Sequence, residues 1–227
     1  MSRLLLEVIV QTVEDARAAA EGGADRLEVV RTIGEGGLTP PLSLVRAIAA
    51  ETSLPLRVMV RENNGFETTP AELSALRRAA EELAALGVDG IVLGFARSQD
   101  PGLEDMRSVL AGAPGLRVTF HRAFDVLRDP LDAIDRLAEL PQVDRILTSG
   151  GDGTFEARCE RLWEYWARAW GRVEIVAGGG VTEETLGRIV RMGCIREVHV
   201  GRAARDGVNP DAPVSADSVR RLRELVG

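Results

Sequence analysis

Apolar residues gather in eight short runs along the chain, and each run is followed by a segment with the spacing of an amphipathic helix. Short runs rich in valine, isoleucine and leucine favour buried strands. Strands that alternate with helices are typical of a parallel sheet covered by its own helices. The predicted strands cover residues 4–10, 26–30, 56–61, 90–95, 117–121, 145–150, 173–178 and 197–201.

The segments between the strands carry start and stop signals for helices. A threonine before a helix can accept a hydrogen bond from a free backbone N–H, and proline suits the first helical position. Glycine permits the left-handed conformation in which many helices end. The predicted N-terminal caps are Thr12, Thr69 and Thr182, and the predicted left-handed ends are Gly22, Gly87 and Gly193.

Eight pairs of strand and helix, with no composition break or linker between them, predict a single (β/α)8 TIM barrel over residues 1–227. A doubly wound open sheet is the alternative. It is disfavoured because no G-x-G-x-x-G loop follows the first strand. In a barrel of this kind the chemistry is expected at the C-terminal ends of the strands.

Charged side chains interrupt several predicted strands. Glu7, Glu28, Arg61 and His121 would point into the barrel or lie at its mouth, where each needs a partner or solvent. We expect His121 to act as a proton carrier or metal ligand, with Glu7 or Glu28 orienting its imidazole or taking a proton. Arg61 or Arg122 would hold an anionic group. The alternative is a structural cluster of salt bridges, or side chains that face outward.

Two further polar residues are assigned plainer roles. Asp125 follows His121 by four residues, and it is expected to cap the next loop or helix more than to act as a catalytic acid. His199 lies inside the last predicted strand, and it is expected to be a satisfied core histidine.

Glycine-rich loops follow the last two strands, in "AGGGVTEETL" and "VGRAARDG". Glycines leave backbone N–H groups open, and a helix that starts nearby adds a positive dipole end, so these loops predict a site for phosphate or another anion. A pair of tight turns is the alternative. The predicted anion-binding residues are Gly178, Gly179, Gly180, Gly201 and Arg202.

Composition excludes some classes of function. The net charge of -7 argues against a nucleic-acid surface. The chain has no lysine, which excludes Schiff-base aldolases and attachment of pyridoxal phosphate. With two cysteines, no signal peptide and no apolar stretch long enough to cross a bilayer, we expect a cytoplasmic protein without a membrane partner.

A stripe of aromatic residues marks the sixth predicted helix. Leu162, Trp163, Trp166 and Trp170 recur at helical spacing, which favours either packing or a contact between subunits. A homodimer or other homo-oligomer is therefore expected.

In its sequence motifs the chain resembles the CutC family of copper homeostasis proteins, through "GADRLEV", "EGGLTP", "VMVRENNG", "VTFHRAFD", "RILTSGG" and "AGGGV". The resemblance implies a cytoplasmic barrel that often self-associates and is linked to copper handling, with no settled reaction. The characteristic polar positions that it carries over are Glu7, Glu28, Arg61, His121, Arg122 and Asp125.

The resemblance alone implies a cofactor, copper, and it also implies how copper would be held. Family members for which copper binding has been proposed carry cysteines at the ends of the first two strands, and thiolate selects Cu(I). Here those regions hold Ile9, Val10, Val29 and Val30. Three functions stay open: a copper homeostasis protein with a polar site at the barrel mouth, an enzyme that acts on a small anionic substrate by His/Glu acid–base chemistry, and a scaffold.

Overall fold

Eight parallel strands close into a barrel in the computed structural model, which describes residues 3–34 and 36–227. Each strand pairs with its neighbours in chain order, and the first pairs with the last. The predicted (β/α)8 TIM barrel is confirmed. The strands are β1 (Leu5–Val10), β2 (Arg26–Val29), β3 (Leu56–Met59), β4 (Gly90–Leu93), β5 (Arg117–Phe120), β6 (Val143–Thr148), β7 (Glu174–Ala177) and β8 (Glu197–Val200).

Helices formed by the described residues pack around the outside of the barrel. They are α1 (Val13–Glu21), α2 (Leu42–Glu51), α3 (Pro70–Leu86), α4 (Leu103–Leu110), α5 (Pro130–Ala138), α6 (Phe155–Ala169), α7 (Glu183–Met192) and α8 (Ala216–Val226). A small hairpin joins Ala96–Arg97 to Asp100–Pro101, and short 3₁₀ turns follow β5 and β8. Within the described residues, no helix is long and apolar enough to cross a membrane.

The predicted helix starts are confirmed. The side chains of Thr12, Thr69 and Thr182 each accept a hydrogen bond from a backbone N–H in the first turn of the following helix. Gly87 and Gly193 end α3 and α7 in the left-handed conformation, as predicted.

The left-handed end predicted at Gly22 is wrong. Gly22 is right-handed with φ −73°, and the next residue, Gly23, takes the positive φ of 91°. Gly22 is needed for a different reason, because a Cβ there would lie 2.5 Å from Val219 Cβ on α8. The glycine therefore permits close packing of the chain against the last helix.

Apolar side chains form two separate layers. The larger core lies between the outer face of the strands and the helices. A smaller cluster of Val30, Met59 and Val92, with Ile9 packed against it, is separate from that core. Strand residues two apart share a face, and the cluster joins Ile9, Met59 and Val92 from β1, β3 and β4 to Val30, which directly follows β2. It therefore forms an apolar layer inside the barrel.

Ion pairs connect the charged residues of the barrel interior. Arg57 is completely buried, and its guanidinium donates to Asp89 at 2.7 Å and to both oxygens of Asp144 at 2.7 and 2.9 Å. Asp89 and Asp144 are thus acceptors for a buried cation. A buried guanidinium is tolerated because these carboxylates compensate its lost hydration.

The ion pairs continue from Asp144 towards the C-terminal ends of the strands. Arg145 contacts Asp144 and donates to Glu197 at 2.8 and 2.9 Å. Arg26 then donates to Glu197 at 2.6 Å and to Glu7. Carboxylates and guanidiniums therefore alternate inside the barrel, and the series ends at Glu7.

Replacement of Arg57 by methionine tests the importance of these pairs. We expect Arg57→Met to lower the free energy of unfolding by about 1–3 kcal/mol, because it leaves two partly buried carboxylates without their main partner. Arg117→Met is the matched control: Arg117 also pairs with Asp89, at 3.4 Å, but its side chain is 59% exposed. The control should cost less than about 1 kcal/mol. Urea denaturation measures both, and equal losses would contradict a dominant role for the buried pair.

Candidate functional site

A cavity of about 620 Å³ opens at the C-terminal ends of the barrel strands. Its apolar wall includes Ile9, Val30, Met59 and Leu147. Two residues of the predicted site, Glu7 and Gly178, are not among its lining. The predicted site residues that do line it are Glu28, Arg61, His121, Arg122, Asp125, Gly179, Gly180, Gly201 and Arg202.

Glu7, Glu28 and His199 form a buried cluster at the floor of this cavity. His199 Nδ1 lies 2.8 Å from Glu7 Oε1 and 3.2 Å from Glu28 Oε2. The strand register explains the contact, since Glu7 on β1 lies opposite both His199 on β8 and Arg26 on β2. The other oxygen of Glu7 accepts from Arg26. The carboxylates therefore contact His199, and the expectation that they orient His121 is wrong.

The three groups differ in how easily each gains or loses a proton. Burial opposes the charged form of Glu7, but Arg26 and His199 hold the pKa of Glu7 well below its usual range. Burial raises the pKa of Glu28 to about 7, and the negative charge of Glu7 adds to that effect. Burial alone would lower the pKa of His199, but Glu28 and Glu7 raise it. Glu28 is the carboxyl that changes charge near neutral pH.

His121 lies apart from this cluster, at the N-terminus of the 3₁₀ turn that follows β5. Its Nδ1 accepts the Ala123 N–H at 3.1 Å, while its Nε2 is buried without a hydrogen-bond partner among the residues described. The rings of Phe66 and Phe120 lie 5.5 and 6.1 Å from the imidazole. Burial, together with the positive charge of Arg61, lowers the pKa of His121 to about 3. These surroundings favour an uncharged imidazole near neutral pH.

Arg61 joins two loops at the rim of the cavity. Its guanidinium donates to the carbonyl oxygens of Gly36 at 3.0 Å, Asn64 at 2.6 Å and Gly65 at 3.3 Å. It also lies 5.0 Å from the centre of the Phe66 ring. Among the described residues no carboxylate pairs with it, so Arg61 contributes positive charge to the cavity as well as holding the loops after β2 and β3.

Asp125 connects the turn after β5 to the end of β6. It accepts hydrogen bonds from Thr148 Oγ1 at 2.5 Å, from the Ser149 hydroxyl at 2.8 Å and from Arg122 Nε at 2.9 Å. The expected role of Asp125 as a helix cap is wrong, because Asp129 caps α5. Asp125 instead holds Arg122 at the rim of the cavity.

The predicted anion-binding glycines divide into three groups. Gly178 is not available to an anion, because its N–H donates to the Thr148 carbonyl at 2.9 Å. Gly179 and Gly180 have φ of 85° and 81°, and within the described part of the chain their N–H groups have no acceptor. Gly201 lies against Ile9 with no space for a side chain.

Arg202 is exposed and pairs with no acid in residues 3–34 or 36–227. Gly179 and Gly180 therefore present open N–H donors, and Arg202 adds positive charge, on the same side of the cavity.

The donors at the mouth do not match the preference of Cu(I) for sulfur. Cys159 on α6 and Cys194 after α7 are free cysteines, and neither lines the cavity. Met59 offers a thioether, but it packs with Val30 and Val92. The other candidate donors are carboxylate and imidazole groups, which suit harder divalent ions.

One group of carboxylates and imidazole could approach a single cation. Atoms of Glu7, Glu28 and His199 lie within 4.8 Å of one another. The expected partner of the carboxylates, His121, does not belong to this group. The oxygens of Glu7 are already bound by Arg26 and His199, and the positive charge of Arg26 opposes a cation here.

The two-residue spacing of polar and small residues in β8 indicates that His199 faces into the barrel. The assignment of His199 to the core leaves this spacing out of account. Glu197, His199 and Gly201 are spaced two apart, so they share one face of β8. Glu7 and Ile9 have the same spacing on β1. The inward face of β8 therefore brings a histidine to the same layer as Glu28.

Comparison with known proteins gives a consistent result. The model of the CutC family matches residues 4–204. A CutC family protein from Bacteroides fragilis is 38% identical over 92% of this chain and 83% of its own length. The human copper homeostasis protein cutC homolog is 34% identical over 89% of this chain and 75% of its own length. The crystal structure of a CutC protein from Streptococcus agalactiae superposes with a TM-score of 0.81 at 26% identity, over 87% of this chain and 98% of the other. The chain therefore belongs to the CutC family.

Proposed function

We propose that the barrel mouth is the active site of an enzyme that transfers a proton on a small anionic substrate. The observation that carries this proposal is the buried position of the Glu28 carboxyl at the cavity, together with its raised pKa. This carboxyl lines the cavity, is 2% exposed, and has one oxygen without a hydrogen-bond donor. A general acid or base works best when its pKa lies near the working pH, and the pKa of Glu28 is about 7.

The neighbouring groups give Glu28 its role. Glu7 is held ionised by Arg26 and His199, so the two carboxyls have pKa values that are far apart. Pairs of acids separated in this way divide the acid and base roles of many active sites. His199 lies between them and can stabilise negative charge on Glu28 after the proton leaves.

The opposite side of the cavity supports an anionic group on the substrate. Gly179 and Gly180 leave their N–H groups open, and Arg61 and Arg202 lack an acidic partner among the residues described. The loops after the last two strands hold phosphate in many barrels of this fold. We therefore propose phosphate as the anionic group.

A role in copper homeostasis is the second candidate, and the name of the human relative favours it. The donors of the mouth do not form a thiolate site for Cu(I), so any copper role of this chain would use residues outside the mouth or act indirectly. The two functions are compatible, since an enzyme can serve metal homeostasis without binding the metal.

We also expect the protein to be cytoplasmic and to have no nucleic-acid partner. Self-association of the chain is a further proposal. Trp163 on α6 and Trp170 just after it are 55% and 61% exposed. Trp166 packs against the core and contacts Trp170 edge to face at 4.8 Å. The predicted stripe is therefore divided, with Leu162 buried and two tryptophans at the surface.

The titration of Glu28 tests the proposed role directly. We expect its carboxyl carbon to titrate with a midpoint near pH 7 in NMR spectra of isotope-labelled protein. The folded protein then holds the proton more tightly than the unfolded chain, so the free energy of unfolding falls as pH rises from about 4.5 to about 7. Glu28→Gln should remove the signal and that part of the pH dependence. A midpoint below about pH 5 would exclude Glu28 as the acid or base.

Phosphate binding tests the other side of the site. We expect millimolar inorganic phosphate to raise Tm, because a ligand that binds only the folded state stabilises it. Gly180→Ala and Gly193→Ala are a matched pair: φ is 81° and 71°, and neither added Cβ meets an atom within 4 Å. Both should lose roughly 1 kcal/mol of stability to left-handed strain. Only Gly180→Ala should weaken the phosphate effect, and equal phosphate responses would place the anion elsewhere.

Competition for Cu(I) against a strong chromophoric chelator tests the copper candidate. We expect the reduced protein to leave the copper with the chelator, because the cavity offers no thiolate. The control is the same titration of the Cys159→Ser, Cys194→Ser double variant. Tight binding that disappears in the double variant would establish a copper site outside the mouth.

A further inference from the structure

His121 presents an unused hydrogen-bond donor at the cavity. The residue is 3% exposed, lines the cavity, and has a buried Nε2 without a partner among the residues described. A buried polar atom that lacks a partner costs about 1–3 kcal/mol. In a folded protein such an atom needs an explanation, and a ligand atom supplies one.

The backbone determines which nitrogen carries the proton. Ala123 N–H donates to Nδ1 at 3.1 Å, so Nδ1 is the acceptor and the neutral ring has its hydrogen on Nε2. Arg61 and two phenyl rings surround the imidazole, which disfavours a second proton. His121 is therefore an uncharged donor with a fixed direction. Such a donor suits an uncharged oxygen that becomes negative during a reaction.

We propose that the substrate is a phosphorylated carbonyl compound, that its carbonyl oxygen accepts the hydrogen bond from His121 Nε2, and that Glu28 takes a proton from the adjacent carbon. This inference rests on the proposed function and names its substrate class. Glu28 and His121 line one cavity, from strands β2 and β5. Ile9, Val30 and Met59 form the apolar wall, which suits the carbon atoms of the substrate.

The step needs no cofactor. The C–H bond breaks and its proton moves to the Glu28 carboxylate, while the electron pair forms a C=C bond and the carbonyl π electrons move to oxygen. The His121 Nε2–H hydrogen bond stabilises the resulting enolate oxygen. Return of a solvent-exchanged proton to the same carbon completes an exchange. Where that carbon carries a hydroxyl, movement of the hydroxyl proton to the former carbonyl oxygen and return of the carbon-bound proton to the former carbonyl carbon complete an isomerisation.

Two small phosphate esters distinguish recognition of the carbonyl group from recognition of the phosphate group. Dihydroxyacetone phosphate has a carbonyl at the carbon where glycerol 3-phosphate has an alcohol. We expect the wild type to bind the ketone about tenfold more tightly, as one hydrogen bond from a buried donor allows. We also expect it to exchange the C–H hydrogens of the ketone for deuterium in D₂O, followed by proton NMR, and Glu28→Gln to abolish this exchange.

Two variants of His121 separate its contact with the ligand from its contact with the backbone. His121→Asn keeps an acceptor for Ala123 N–H and lacks the distal donor, while His121→Gln keeps a distal donor and lacks that acceptor. The Asn variant should unfold at the wild-type urea concentration, lose the preference for the ketone, and exchange deuterium about a hundredfold more slowly. The Gln variant should unfold at lower urea and retain most of the preference.

The outcomes separate this inference from the proposed function. Equal binding of the two compounds, or binding of inorganic phosphate without either of them, would overturn the carbonyl assignment and leave the phosphate site intact. A ketone preference that survives in the Asn variant would overturn the role of His121. Absence of any phosphate effect on Tm would instead count against the proposed function itself.

Discussion

The mouth of this barrel depends on charges buried in the interior, each of which must be paired to remain ionised. An unpaired ion in such surroundings would lose far more hydration energy than the protein could replace. Four strands supply the partners in alternating sign, through Asp144, Arg145, Glu197, Arg26 and Glu7. Glu7 takes the two nearest hydrogen-bond donors, Arg26 and His199. Among the described residues Glu28 has no guanidinium partner and lies 3.2 Å from His199 Nδ1, and its burial, with the negative charge of Glu7, raises its pKa to about 7. The raised pKa of Glu28 is therefore a consequence of its burial first and of the neighbouring charge of Glu7 second.

The two histidines show how strongly position decides chemistry. His199 lies between two carboxylates, which raise its pKa, whereas His121 lies beside Arg61 and phenyl rings, which lower its pKa to about 3. One imidazole is thus held towards the charged form and the other is uncharged. A site with both can stabilise a carboxylate at one end and a developing oxyanion at the other.

The barrel and the helix starts could be predicted from the sequence because they depend on short-range signals. The periodicity of the apolar runs fixes strands and helices, and a threonine acts on the N–H groups that follow it within one turn. The partners inside the barrel could not be predicted in this way, because they depend on register between distant strands. His199 contacts Glu7 across 192 residues, and Arg26 contacts Glu197 across 171. The position of Glu28, Arg61 and His121 at the mouth could be predicted from the sequence. The interior ion pairs of Arg26, Arg57 and Arg145, and which acid contacts which histidine, could not.

The positions of the protons in the interior are the quantity on which acid–base chemistry at the mouth depends. A neutron crystal structure of the protein, exchanged into D₂O near pH 6, would show them directly. We expect deuterium on one oxygen of Glu28, on both nitrogens of His199 and on Nε2 alone of His121. An ionised Glu28 together with a doubly protonated His121 would contradict the proposed division of roles between the two sides of the cavity.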